Sequence, residues 1–325
     1  MAAYFKLVGN MSLISKYFNS GLCLRFCLLI TLNFISIASK ADELPLKVVT
    51  TFSILADMAE QIGKEHISVQ TLIDWDEDAH VFQPSPGDVK QIAEADLLVL
   101  NGLGFEGWLS RLLSAADYKG PSIEAATGVS LIRLGLTHGE HEVHDHDHVG
   151  GVYDPHAWHS LKAALVYVDN IAKGLIKADP KNEQDYLANL KSYSEKLQSL
   201  DLSIAHKISK IPIAQRRLVV PHNAFAYLAR DYDLHIYSLQ GLSTDSEASA
   251  ADLAKIVRLI RSLKVKAIFT ETISDKRLIQ VVESETDATI EGALVSGALS
   301  HKLAPTYLDV MQYNTSLIIK ALSKN

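Results

Sequence analysis

The sequence predicts an α/β protein of two parallel-sheet α/β lobes joined by a long backbone helix. Three observations carry that prediction: short β-branched strands alternate with amphipathic helices early in the chain, the same alternation returns in its last third, and the stretch between them holds no strand-like segment. The composition agrees. With 325 residues, 48% hydrophobic and 21% charged, the chain buries enough apolar surface to offset its entropy, and the length suits one large domain or two of ordinary size. Thirty-one basic residues against 38 acidic ones leave no basic face with which to neutralise phosphates, so a nucleic-acid partner is excluded.

Residues 1–41 read as a secretory signal peptide. Lys6, Lys16 and Arg25 precede an apolar run over 26–38 (FCLLITLNFISIA), and small residues place cleavage after Ala41; Met1 and Met11 are both candidate starts. A retained anchor is the alternative, disfavoured because the run is shorter than the ~20 residues that span a bilayer. Cleavage removes both cysteines, Cys23 and Cys27, together with four basic residues and no acidic one, so the net charge moves from -7 to -11. The exported 284 residues are then free of cysteine and expected to be soluble outside the cytoplasm, as a monomer.

The N-terminal α/β lobe is assigned to 42–159. It opens with a strand at 46–51 (LKVVTT) and a helix at 53–62, whose Ile54, Leu55, Met58 and Ile62 recur at three- and four-residue spacing. Strand 69–73, helix 86–95, strand 97–100 and helix 105–115 continue the alternation. Linking helices occupy 160–210: one over 160–177, a break at Ala178-Asp179-Pro180, and the backbone helix over 182–208, long enough at 1.5 Å per residue to form a rod of roughly 40 Å. The C-terminal α/β lobe, 211–325, repeats the beat with strands at 217–220, 236–239, 267–270 and 289–294, each followed by a helix, at 223–232, 248–263, 275–285 and 306–322. Ligands of open α/β sheets bind beyond the carboxyl ends of strands and at domain interfaces, so the site belongs in the cleft between the lobes.

That rule selects histidines. His80 follows the strand at 69–73 in a turn-rich stretch, His156 sits in Tyr153-Asp154-Pro155-His156-Ala157-Trp158 before a helix, and His222 directly follows the strand at 217–220. Alone, each is more often a packing residue; their common setting makes them ligands. Three neutral imidazoles with a fourth position for carboxylate or water suit a tetrahedral Zn²⁺ site. The segment 137–149 is a second feature: His138, His141, His144, His146 and His148 alternate with acids in a tract lacking core-forming residues, which reads as an auxiliary loop holding metal weakly.

These stretches together make the chain similar to a cluster A-I periplasmic solute-binding protein, the metal-binding component of bacterial zinc and manganese ABC importers, and specifically to the zinc-uptake branch. The resemblance rests on the His80 turn followed by Gln83-Pro84-Ser85-Pro86-Gly87-Asp88, on Asp154-Pro155-His156-Ala157-Trp158, on Val220-Pro221-His222-Asn223-Ala224-Phe225, on Gly241-Leu242-Ser243 with Glu247, and on Thr306-Tyr307 with Tyr313-Asn314. It implies two lobes, a joining helix, and one high-affinity metal held by His80, His156 and His222. It also implies a partner, a membrane permease with its cytoplasmic ATPase. A histidine at the third ligand position resembles zinc-selective members, whereas manganese members often carry a carboxylate there.

One departure stands out. Members with a fourth protein ligand usually place an aspartate in a Tyr-Ser-Asp-Ser-Leu-like stretch, which here aligns with Val295-Ser296-Gly297-Ala298-Leu299, and glycine cannot ligate. Water, or Glu271 after the strand at 267–270, is the expected substitute, with Glu271 either a direct ligand or a partner of one. Asp78 and Asp154 are candidates by proximity for orienting the imidazoles. The expected function is zinc capture for an importer, with no enzymatic activity. Two alternatives remain: a manganese binder of the same family, and a zinc hydrolase, for which no His-Glu-x-x-His helix or other compact signature is present.

Overall fold

Two four-stranded sheets organise the chain, and each is built from parallel pairs. In the computed structural model, which describes residues 44–134, 153–245 and 248–324, the first sheet has the order β2-β1-β3-β4: β1 (Leu46–Phe52), β2 (Ile67–Ile73), β3 (Leu97–Leu100) and β4 (Ser122–Glu124). The second has the order β6-β5-β7-β8: β5 (Arg217–Val220), β6 (His235–Ser238), β7 (Ala267–Glu271) and β8 (Thr289–Leu294). The central strands are buried, from Val48 to Phe52 in β1 and throughout β7, as parallel strands covered on both faces must be. The expected signal peptide, residues 1–41, the auxiliary loop at 137–149 with its five histidines, and Glu247 lie outside the described residues.

Four of the described helices start at a side-chain cap. In the first lobe the helices are α1 (Ser53–Gly63), α2 (Pro86–Ala93) and α3 (Leu109–Ala115). Ser85 and Asp88 form a reciprocal capping box before α2, with Pro86 in its first turn, where the missing N–H costs nothing. The linking helices are α4 (Leu161–Ala178), capped by Ser160 Oγ, and the 27-residue α5 (Glu183–Ser209). The second lobe adds α6 (Ala226–Tyr232), α7 (Ala250–Leu263), α8 (Arg277–Ser284) and α9 (Tyr307–Leu322); Ser249 with Asp252 and Thr306 with Asp309 cap α7 and α9.

The structure corrects three local expectations. β4 was not anticipated: three residues, two of them exposed, carry no readable period. It is nonetheless covered by α4, which approaches so closely at Gly174 that a Cβ there would fall 1.8 Å from Ile123 Cδ1. The helix expected at 105–115 begins only at Leu109, because Glu106 is drawn back onto Thr51, Asn101 and Gly102. The helix expected at 223–232 begins at Ala226, since Asn223 N–H is taken by Gly241 O at 2.9 Å.

The backbone helix α5 holds both lobes. Its first half binds α1, through Asn189 Nδ2 to Ile62 O at 3.0 Å and Tyr193 OH to Asp57 Oδ2 at 3.4 Å, and its second half binds α6, through Tyr232 OH to Asp201 Oδ1 at 2.7 Å. Asp57 also accepts from Tyr307 N–H at 2.9 Å, so it ties the start of α9 to the first lobe. One apolar cluster runs through both lobes and the linking helices, with Phe52, Trp158, Tyr167, Phe225 and Tyr307 among its largest members, and a smaller one built on Val219, Ile260, Ile268 and Val282 covers the other face of the second sheet. The described residues from Pro45 onward thereby form one compact unit.

Candidate metal centre

Both sheets reverse their strand order between two central strands, β1 and β3 in the first and β5 and β7 in the second, and crevices open beyond the carboxyl ends of such strands. His222 follows β5 directly and Glu271 is the last residue of β7, so the second crevice is flanked by both. His80 comes from the loop between β2 and α2. His156 precedes a 3₁₀ turn, Ala157–His159, that leads into α4. The structure brings these three histidines together: one ring nitrogen from each lies within 4.8 Å of the others, the only such group among the described residues.

The closest pair is informative. His80 Nε2 and His156 Nε2 are 3.3 Å apart. Zn–N bonds of 2.0–2.1 Å in tetrahedral geometry put neighbouring nitrogens about 3.3 Å apart, so the two imidazoles already stand at the edge length of a shared coordination tetrahedron.

Each buried ring is aimed by a carboxylate. Asp154 Oδ1 lies 2.9 Å from His156 Nδ1 and also accepts the His156 backbone N–H at 2.9 Å. Glu271 Oε2 lies 2.6 Å from His222 Nδ1, a close charge contact without the alignment of a hydrogen bond, while Oε1 accepts the His222 backbone N–H at 3.2 Å. Ser296 Oγ donates to Glu271 Oε2 at 2.8 Å and fixes the carboxylate in turn. Glu271 therefore stands outside the group of convergent nitrogens and against His222 Nδ1. Asp78 acts on the backbone of the His80 turn, accepting the His80 N–H at 2.9 Å.

Burial and charge set the protonation states. Burial, then the neighbouring imidazoles His156 and His222, push His80 down to about 3. Burial likewise holds His156 well below the ordinary histidine range. For His222 burial acts in the same direction, but the Glu271 carboxylate, with help from Asp78 and Asp154, outweighs it and raises the group. Asp154 is pushed up to about 7 by burial, against the opposing pull of the His156 N–H and the His222 charge. At neutral pH His80 and His156 thus offer neutral lone pairs, the form a metal takes.

An aromatic wall that sequence reasoning missed stands behind the histidines. Phe105 meets the His80 ring edge-on at 5.4 Å and Trp158 the His156 ring at 5.2 Å, and Phe52 packs on both at 5.2 and 5.0 Å. Trp158 stands in the same short motif as His156, where nothing in the sequence marks it as part of a wall. Phe105 was legible, because it follows β3 at a switch point and the rule that found His222 applies there equally. The wall keeps one side of the site dry, which strengthens every charge interaction within it.

Comparison with known proteins places these features in context. A family model described as zinc-uptake complex component A, periplasmic, matches residues 48–321. The manganese-binding lipoprotein MntA of Bacillus subtilis is 34% identical over 292 residues, covering 88% of this chain and 92% of the relative. The iron-binding protein YfeA of Yersinia pestis is 31% identical, covering 90% and 93%. Among solved structures, the periplasmic zinc-binding protein TroA of Treponema pallidum superposes with a TM-score of 0.77 at 28% identity, over 86% of this chain and 99% of that one.

Proposed function

The chain belongs to the family of the periplasmic zinc-uptake complex component A, and from that premise we propose that it captures Zn²⁺ in the periplasm and delivers it, as a monomer, to the membrane permease of an ABC importer driven by a cytoplasmic ATPase. His80, His156 and His222 are the ligands. Asp154 and Glu271 orient His156 and His222 through Nδ1, leaving Nε2 to the ion, and water fills the fourth position that Gly297 leaves without a side-chain donor. The five histidines of 137–149 gather zinc ahead of the cleft.

One observation carries the choice of metal: the convergent group is three imidazole nitrogens, and no carboxylate oxygen stands in it among the described residues. Nitrogen-rich sites favour Zn²⁺, whereas Mn²⁺ takes oxygen-rich ones. The manganese reading is favoured instead by the names of relatives such as MntA. Hydrolysis needs an open site with a base beside the metal-bound water; Asp154 and Glu271 face the imidazoles' Nδ1 atoms instead. Release by wide hinge opening conflicts with α5 and the continuous core, so modest shear of the second lobe accompanies capture.

Competition calorimetry of metal-free protein with Zn²⁺ and Mn²⁺, beside His222→Ala, tests the proposal. Tight zinc binding that the variant loses supports it. A preference for Mn²⁺ would transfer the protein to the manganese branch, and unaltered binding in the variant would remove His222 from the site.

A further inference from the structure

The three histidines differ in accessibility: His156 and His222 are buried at 0% and 1% exposure, while His80 is only partly buried. An ion entering or leaving passes the His80 side. The His80 turn is therefore the part of the site whose position governs retention, and the structure holds that turn from the opposite lobe.

The connection runs through one carboxylate and one loop. Asp78 Oδ1 accepts the His80 backbone N–H at 2.9 Å, and its other oxygen, Oδ2, accepts a hydrogen bond of 2.5 Å from Thr244 Oγ1, a residue 166 positions away. Thr244 lies in the loop that follows β6. That loop is rooted beside His222: Leu239 N–H and Gln240 N–H donate to Pro221 O at 3.1 and 2.9 Å, and Gly241 O accepts from Asn223 N–H. Three residues beyond this anchorage, Thr244 reaches Asp78. A single short segment therefore links the backbone on both sides of His222 to the backbone of His80. Other bonds between the lobes include fully buried ones, such as Trp158 Nε1 to Ser296 O and Leu299 N–H to Ser53 Oγ, and a second tie near the start of the His80 loop, where Asp76 N–H donates to Leu299 O at 2.8 Å and Asp76 Oδ2 accepts from His301 N–H at 3.3 Å; none of these reaches the backbone of His80 itself. The Thr244–Asp78 bond is only part-buried, like His80 itself.

Building on the metal-capture reading above, we propose that Thr244 is a positioning residue that sets how long the captured ion is held. Its hydroxyl touches no ion; it fixes Asp78, and through Asp78 the His80 turn, against the lobe that carries His222. Loss of the hydroxyl leaves His80 able to swing out with its turn, so the ion departs sooner. Association is unaffected, because entry already requires that side to be open.

The test compares wild type with Thr244→Val, which keeps the shape and removes the donor, and Thr244→Ser, which keeps the donor. Each is loaded with Zn²⁺, and release to excess chelator is followed by stopped flow. Release from Thr244→Val is expected to be about tenfold faster, the scale of a hydrogen bond to a charged acceptor, with an unchanged association rate, an unchanged melting temperature of the metal-free protein, and near-normal release from Thr244→Ser. Wild-type release from Thr244→Val overturns the proposal, as does equal acceleration in both variants, which would assign the effect to packing. If wild type retains no Zn²⁺, Mn²⁺ is the probe; retention of neither ion defeats the metal reading itself, an outcome distinct from retention with no effect of the variant.

Discussion

Glu271 Oε2 lies 2.6 Å from His222 Nδ1, yet Glu271 is not part of the group that His222 forms with His80 and His156. That contact determines which nitrogen of His222 is free to bind. It also makes Glu271 a partner of the ligand, since its two oxygens are occupied by His222 and by Ser296 Oγ. Glu271→Gln keeps the shape and removes the charge that makes the imidazole a better donor. Zinc affinity should fall by about 10- to 100-fold, the usual effect of losing such an orienting group, whereas His222→Ala should abolish tight binding. Competition titration against a chelator of known affinity measures both, and a glutamine variant as weak as the alanine variant would make Glu271 a ligand.

Metal uptake should expel protons. His222 is raised above the ordinary histidine range and Asp154 to about 7, so near pH 6 the metal-free site carries protons on both. The loaded site carries fewer, because Nε2 of His222 can aim at the cation only while Nδ1 holds the single proton, and the cation disfavours a neutral Asp154. Affinity therefore falls as pH falls below about 7. His80, held down at about 3, adds to that slope only in strong acid. Calorimetry at pH 6 in two buffers of different ionisation enthalpy reads the protons released; identical heats in both would contradict the assignment.

Much of this site was legible because the chemistry is tied to strand ends. The strand at 217–220 announces itself by four residues of sequence, and the switch-point rule then picks His222 without knowledge of its partners. The pairing of Asp154 with His156 was likewise within reach, the two being two residues apart with Pro155 between them. Thr244 was not: its acceptor lies in the other lobe, and a threonine in a polar loop carries no local mark of a partner. Glu271 was visible as an acid after a strand, yet whether it faced the ion or the back of His222 depends on the direction of one side chain. The starts of α3 and α6 slipped for a related reason, since Glu106 and Asn223 are recruited by bonds that compete with the first helical turn.

Deleting 137–149 should leave the cleft intact. The flanks of this segment are secured independently of it: Arg133 and Tyr153 form an antiparallel bridge, and Tyr227 OH, buried in the second lobe, accepts from Ile132 N–H at 3.3 Å and donates to Asp154 O at 2.8 Å. Asp154 thus keeps its place beside His156 whatever the segment between carries. The expected outcome is a cleft affinity within about threefold of wild type, with total zinc stoichiometry falling toward about one ion and capture slowing when zinc is scarce. A deletion variant that binds as many ions as wild type would deny the five histidines their role.

Gly297→Asp tests why this site lacks a carboxylate. Residue 297 adjoins Ser296, whose side chain binds Glu271, and it occupies the position where the resemblance places the family's fourth ligand. The backbone there is not left-handed, so a side chain brings no φ strain. A Cβ would meet only Ile273 Cδ1 among the described residues, at 3.1 Å, and the tip of an isoleucine can give by the few tenths of an ångström required. The variant should fold, and its carboxylate adds a hard oxygen donor to three nitrogens. Hard donors favour Mn²⁺ more than Zn²⁺ in relative terms, since zinc is already well served by imidazole. Manganese affinity should rise by about tenfold and the zinc-to-manganese ratio should fall, measured by titration of both ions into the same preparation. An unchanged ratio in a folded variant would mean that residue 297 does not face the ion and that the fourth position lies elsewhere on the rim of the cleft.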